Sequence, residues 1–440
     1  MVMKLLRECR SLFVQHSGSA WLDNYLLVIL ASSILGFLSW RGWTNITLFL
    51  LLVPAMACLR QSCGAMRISG GLRLLFPLVA ALALPVFALL VSQGLRQELI
   101  VKAYDGPVRM LLAIPLVLYF HFKRVDFARL LGVAAPLALF ILVAEVKLNP
   151  HALELWGGRF ATYFVDTDTF GVYALVLASF CLFSIGGAGR VPMSGLAVLQ
   201  ILGFMAGLYL VIGSNTRASW LALPFVLVLW LILRGGRLDR RLLLGVSAIG
   251  VLGLGLAFTL YPGALARLSS SFQEVSMWFD GSNRHTSAGY RLTMWHMSWE
   301  FFKHSPWYGY GDIGFRAYLN EPWITSFADA ESRGIISNGP HNEFLANLLR
   351  SGVLGGISVL GLFFVPFVLF WRQRHHSDAQ VAMASHMGLA YLVCLIVCSI
   401  SFEVFTLKYT ATFYGLIIAG LAAQVVRGQV DASRSLHVRD

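Results

Sequence analysis

Apolar runs of roughly 20 residues, separated by a few polar ones, recur along this chain and give way only once, to a long polar stretch over 261–350. Runs of that length match a hydrocarbon core about 30 Å thick, and a segment surrounded by lipid has to satisfy its backbone internally, as a helix. The pattern predicts about 12 spans, near 22–40, 44–58, 72–93, 107–121, 127–146, 168–185, 193–213, 218–233, 241–261, 352–371, 380–402 and 408–426. The expected fold is therefore an all-α polytopic membrane protein in three parts. Residues 1–261 hold spans 1–9, 262–351 form a loop with amphipathic helices, and 352–440 hold spans 10–12 and a tail that, after Val426, reads as a short disordered end.

Composition supports this class: 57% of the residues are hydrophobic and 13% charged, against about 25% charged in an average soluble domain. A formal net charge of +12 would suit nucleic acid, but its distribution argues otherwise. Arg and Lys gather in the short alternate connections at 59–73, 121–129, 186–190, 234–241 and 371–376, the bias that fixes membrane orientation. Both termini are then expected in the cytoplasm and the long loop outside. The basic start MVMKLLRECRSLF has no small-residue cleavage site before the first span and reads as a retained anchor. None of the six cysteines falls in the long loop, so no disulfide framework is expected there, and Cys394 and Cys398 read as small packing residues.

Three arginines run against the inside bias: Arg159, Arg217 and Arg291 all fall in outer segments. Arg217 lies where one span stops at GSNT and the next restarts at Ala218. It could snorkel to headgroups, or clamp an anion with its forked donors beside a helix start. Arg291, Trp295, Trp299 and Phe302 recur at helical spacing, giving an aromatic-faced helix suited to an interface; that helix stops at Ser305-Pro306, before a turn through Gly309 and Gly311. The run SNGPHNEFLANLLRSGVLGG over 337–356 reads as a helix start, with Asn338 and Gly339 as turn and cap, Pro340 at the first helical position and His341 in the first turn. Unpaired backbone donors there would favour a neutral, base-competent imidazole. Glu343 would either orient that imidazole or complement the helix dipole. The Asp166-Thr-Asp168 triplet invites a metal, but at the start of a span it reads as a helix cap, and His285, His296 and His304 lack zinc spacing; no metal or cofactor is expected.

The segments SNTRASWLAL, RLTMWHMSWEFFKHSPWYGYGDIGF and PHNEFLANLLRSGVLGGI resemble three signature regions of the O-antigen ligase and polymerase superfamily, with the resemblance running from Arg159 to Gly356. It implies a metal-independent, membrane-embedded glycosyltransferase. Its donor would be a glycan on undecaprenyl diphosphate and, for the ligase branch, its acceptor the lipid A–core oligosaccharide. The motif arginines fall on Arg217 and Arg291 and the motif histidine on His341, with Asn342 and Glu343 in support. Arg159 matches an upstream signature, and Asp166-Thr-Asp168 departs from the Asn usual nearby.

Diphosphate leaves once its charge is neutralised, which arginines can do without a metal. The attacking hydroxyl gains from a base, the role expected of His341, although a helix start suits a phosphate ligand as well. In-line attack would invert the anomeric centre. A polymerase or a protein O-oligosaccharyltransferase would need the same clamp. A lipid-glycan transporter is a competitor from another class, with ionisable residues expected near mid-membrane and paired halves.

Overall fold

A computed structural model describes residues 20–185, 195–234 and 262–437. Among them, nine helices are long and apolar enough to cross a membrane. They are α4 (Gly71–Leu95), the nearly continuous Val101–Lys123, α7 (Phe127–Leu148), α9 (Thr167–Ser184), α10 (Gly195–Ser214), α11 (Arg217–Arg234), α16 (Glu343–Gln373), α17 (Ala379–Ser399) and α18, which begins at Lys408. Val101–Lys123 comprises a 3-10 turn (Val101–Tyr104), α5 (Asp105–Leu111) and α6 (Ala113–Lys123). A tenth candidate is broken: α2 (Trp43–Ala57) and α3 (Leu59–Ile68) meet at 66°.

Three details differ from the sequence reading. The first span is shorter than 22–40: α1 covers Ala20–Leu35, and the chain turns there as the Trp43 indole donates to the Ser32 carbonyl at 3.0 Å. Residues 59–68, expected as a connection, form the helix α3, whose polar composition fits a segment bent away from the span before it. The stretch beyond Val426, expected to be disordered, continues α18 to His437. Arg427 donates to the Val125 carbonyl at 3.1 Å and Asp431 pairs with Arg124 at 2.7 Å, so the corner between α6 and α7 holds the extension. The span expected at 241–261, the N-terminal anchor with Cys9, and the basic connections at 186–190 and 235–241 lie outside the described residues.

The bundle centres on α9, α17 and α18, which are almost entirely buried and apolar all round, as a helix enclosed by other helices should be. α9 packs on α7, α10 and α17, and α16 packs on α4 and α17. Phe37 and Phe413 stack with ring centroids 3.9 Å apart near the middle of this core.

The long loop carries a small core of its own. α12 (Pro262–Asp280) and α13 (Ser287–His304) pack together. Met294, Met297 and Phe301 of α13 bury against Phe315, Ile324, Ile336 and Leu349, and the Trp299 and Phe302 rings face outward beside one another. This core is fixed to the bundle at a kink in α16, where Ser351 leaves helical geometry and Gly352 adopts φ +61°. A kink releases backbone carbonyls from the helical ladder. The glycine turn after α13 takes them up: Tyr310 N–H donates to Leu349 O at 2.8 Å and Gly311 N–H to Arg350 O at 2.9 Å. Gly309 is required here, since a Cβ on it would lie 2.5 Å from that Leu349 oxygen. From α4, Ser92 Oγ and an Arg96 guanidinium nitrogen each donate to the Tyr308 carbonyl at 2.6 Å.

Candidate active site

The break between α10 and α11 creates the site. Asn215 takes a left-handed φ of +57°, and α11 restarts at Arg217, which directs its side chain toward the loop. Thr216 Oγ1 donates to Thr167 O at 2.8 Å, bringing the break against the start of α9. There Asp166 caps the helix, accepting from Asp168 N–H at 3.0 Å and Thr169 N–H at 2.9 Å. The triplet that invited a metal thus uses one carboxylate as the cap its position predicts.

One hollow of about 120 Å³ gathers Arg159, Arg217 and Arg291, together with Asp168, Asn215 and Ser401. The three guanidinium groups are not equivalent. Arg159 ties the break together: its Nε donates to Ser214 O at 2.8 Å and its Nη2 pairs with Asp168 at 3.2 Å. Arg217 makes two parallel contacts of 3.2 Å with Glu274 of α12. Arg291, on α13, has no hydrogen bond or ion pair among the described residues. Burial lowers its tendency to hold a proton, while Asp168 opposes that effect. A guanidinium stays charged through such a shift. Counting Asp168 and Glu274 against the arginines, the hollow keeps a positive excess with one donor fork unused.

Glu274 had no signal in the sequence. Its carboxylate also accepts from Ala288 N–H at 2.9 Å and Ser270 Oγ at 3.3 Å. Burial pushes its pKa upward, but the hydrogen bonds from Arg217 and Ala288 outweigh burial and hold it below the usual carboxylate range.

The 337–343 segment corrects the expected helix start. α16 begins at Glu343, not at Pro340, and its cap is Asn342, whose Oδ1 accepts from Phe344 and Leu345 N–H, both at 3.0 Å. His341 therefore precedes the helix instead of lying in its first turn. It adopts a left-handed φ of +50°, and its N–H donates to Glu403 Oε1 at 3.1 Å. The reason is tertiary: Glu403, from the loop between α17 and α18, reaches the turn and fixes it. Asn342 Nδ2 adds a 2.9 Å bond to Ile400 O in the same loop. The Glu343 carboxylate is buried and committed elsewhere, accepting from Asn347 Nδ2 at 2.7 Å and Phe405 N–H at 3.0 Å.

The structure thus brings the three arginines to one hollow; His341 is not among the residues that line it, and the link between them runs through the 401–403 segment. Ser401 and Phe402 line the arginine hollow, and the next residue, Glu403, holds His341. Glu403 was missed in the sequence; its only signal is that it is the one carboxylate in the break SFEVFTLK between two apolar runs.

Comparison with known proteins adds an independent line. Residues 202–360, which include Arg217, Arg291 and His341, match the family model described as O-antigen ligase. An uncharacterized protein of Haemophilus influenzae is 23% identical over 304 residues, covering 67% of this chain and 72% of the relative. A Pseudomonas aeruginosa protein named O-antigen ligase is 22% identical over 261 residues, covering 59% of this chain and 54% of its own length.

Proposed function

We propose that the protein, whose residues 202–360 match the family model described as O-antigen ligase, transfers a glycan from undecaprenyl diphosphate to a hydroxyl of the lipid A–core oligosaccharide, at the periplasmic face of the bacterial inner membrane. The observation that carries this reading is the hollow in which Arg159, Arg217 and Arg291 converge, with the Arg291 fork unpaired. A diphosphate is the ligand such a site suits: guanidinium groups donate in pairs to phosphate oxygens, and the start of α11 adds its backbone donors.

Arg217 and Arg291 bind the diphosphate, and Arg159 holds the backbone that presents them. The acceptor oxygen attacks the anomeric carbon. The bond from that carbon to the diphosphate oxygen breaks, and its electron pair leaves with undecaprenyl diphosphate. The hydroxyl proton passes to the His341 imidazole. With base and leaving group on opposite faces of the sugar, the configuration inverts. Charge neutralisation by the arginines stabilises the leaving group without a metal. The basic ends of the described helices, at Arg60, Arg67, Lys123, Arg124, Arg372 and Arg374, support cytoplasmic termini under the positive-inside bias.

The test is reconstitution of the purified protein with lipid-linked glycan and separated acceptors, for wild type and His341→Ala, with undecaprenyl diphosphate binding measured apart. Product on lipid A–core supports the ligase. Longer lipid-linked chains indicate a polymerase, and glycan on protein an oligosaccharyltransferase. His341→Ala is expected to slow transfer about 100- to 10,000-fold with donor binding kept. Full transfer removes the base role, and lost donor binding makes His341 a phosphate ligand.

A further inference from the structure

The wall that holds His341 has a second hollow on its other side. Ser401 and Phe402 face the arginines, whereas Glu403, Phe405 and Thr406 line a cavity of about 380 Å³. Gly339 and Pro340, the two residues before His341, line it too. The 401–406 segment therefore borders both spaces, and the 3.1 Å bond from His341 N–H to Glu403 ties the His341 turn to it.

This cavity is built differently from the arginine hollow. Ion pairs brace its sides: Lys408 with Asp105 at 2.5 Å, and Arg350 with Asp312. Those pairs consume two of its cations and two of its carboxylates. Lys102 and Glu403 remain, with Arg316 donating to Ser337 O at 2.9 Å. Glu403 Oε2 accepts from Thr406 Oγ1 at 2.8 Å, and a carboxylate's two oxygens have room for further donors. The floor is apolar, from Phe315, Leu349 and Phe405. Ligand pockets of this size, about 300–1,000 Å³, combine apolar surface with a few placed polar groups. Donors and acceptors together beside apolar surface match a saccharide, which has hydroxyls at its edge and C–H groups on its face. A compact anion would meet the Glu403 carboxylate, and an acyl chain would leave Glu403 and Lys102 unsatisfied.

The geometry points to this cavity, between the Val101–Tyr104 turn, the 311–316 loop and the 403–408 loop, as the subsite for the acceptor saccharide. The inference rests on the transferase reading above and adds where the second substrate sits. Donor diphosphate and acceptor sugar then approach the His341 turn from opposite sides, and Glu403 is the polar group that both fixes the turn and faces the sugar.

The experiment fills the cavity without touching the wall. Ala103→Trp introduces bulk from the 3-10 turn, and Ile313→Trp does so from the facing loop, at a side chain 52% exposed that accepts bulk without disturbing the loop core. Each full-length variant is purified and compared with wild type for undecaprenyl diphosphate binding, for KM toward lipopolysaccharide lacking O-antigen, and for binding of the delipidated core oligosaccharide. The expected result is an acceptor KM raised about tenfold or more, as when a pocket is altered by a few heavy atoms, weaker oligosaccharide binding, and unchanged donor binding. Acceptor KM and oligosaccharide binding unchanged in both variants overturn the assignment. Donor binding lost along with acceptor binding in both variants overturns it as well, by placing the donor in this cavity. If wild type binds undecaprenyl diphosphate but neither transfers to nor binds any saccharide acceptor, the transferase reading falls and this one with it, a failure visible in the wild type alone.

Discussion

Arg217 and Glu274 meet through two parallel contacts of 3.2 Å, joining the start of α11 to α12. Each carboxylate oxygen lies where a phosphate oxygen would sit on the same guanidinium fork. Glu274 thus holds Arg217 in place when the hollow is empty and competes for it when an anion arrives. Glu274→Gln keeps the acceptor for Ala288 N–H but removes the competing charge. Its affinity for undecaprenyl diphosphate is expected to rise about fivefold, roughly 1 kcal/mol, in a titration of the detergent-solubilised protein. A fall in affinity would instead make the carboxylate a necessary support of Arg217.

The same pair sets a pH window. Glu274 is held below its ordinary range, so the stability it contributes is fully present above the unfolded carboxylate pKa, about 4.3. It is lost as pH falls below that value toward the folded pKa. Between pH 5 and 8 the attachment of α12 to α11 is expected to be constant. Thermal unfolding across that interval should therefore show a fixed offset between wild type and Glu274→Gln, and that offset should shrink only under stronger acid.

Arg159 and Arg291 line one hollow but hold different things, and substitution separates them. Arg159→Ala removes a donor from the Ser214 carbonyl and the charged partner of Asp168, which keeps the 3.3 Å bond from Thr216 Oγ1, so it is expected to destabilise the fold by about 1–3 kcal/mol. Arg291 gives up nothing in the empty site. Arg291→Ala is expected to leave the melting temperature nearly unchanged while weakening undecaprenyl diphosphate binding by about 2 kcal/mol or more, the loss of a charged contact to a desolvated partner. Melting and binding measured on the same preparations distinguish the two.

What the sequence made legible was what local pattern encodes. Among the described residues, nine of the expected spans stand as membrane-length helices because each is a long apolar run, and Arg217 and Arg291 stood out because they are charges at run edges against the prevailing bias. The start of α16 was misjudged by three residues for a reason no local pattern contains. Asn338, Gly339 and Pro340 carry the residue types of a cap, but Glu403, 62 residues downstream of His341, stabilises a left-handed turn that delays the helix until Asn342. Glu274 and Glu403 drew no reading from the sequence because their partners are set by tertiary contact.

Gly339 shows how tightly that turn is built. Its φ is +113°, and a Cβ on it would stand 2.3 Å from Glu403 Oε1. Gly339→Ala adds backbone strain of about 1–3 kcal/mol and drives the Glu403 side chain off the turn. Transfer activity is expected to collapse while undecaprenyl diphosphate binding at the arginines persists. Wild-type turnover in Gly339→Ala would show that the turn tolerates rearrangement and that its pinning by Glu403 has no catalytic consequence.

Asn342 tests the same turn from the helix side. Its Oδ1 caps two N–H groups of α16 and its Nδ2 holds the Ile400 carbonyl, so one side chain fastens both the helix start and the 400–407 loop. Asn342→Ala removes all three bonds and is expected to destabilise by about 0.5–2 kcal/mol through the cap alone. Asn342→Asp keeps the cap, loses the donor to Ile400, and adds a negative charge to a turn that Glu403 already holds with a carboxylate. Stability should recover in the aspartate variant while turnover does not, because the position of His341 depends on the loop rather than on the cap. Equal recovery of both would assign Asn342 to helix capping only.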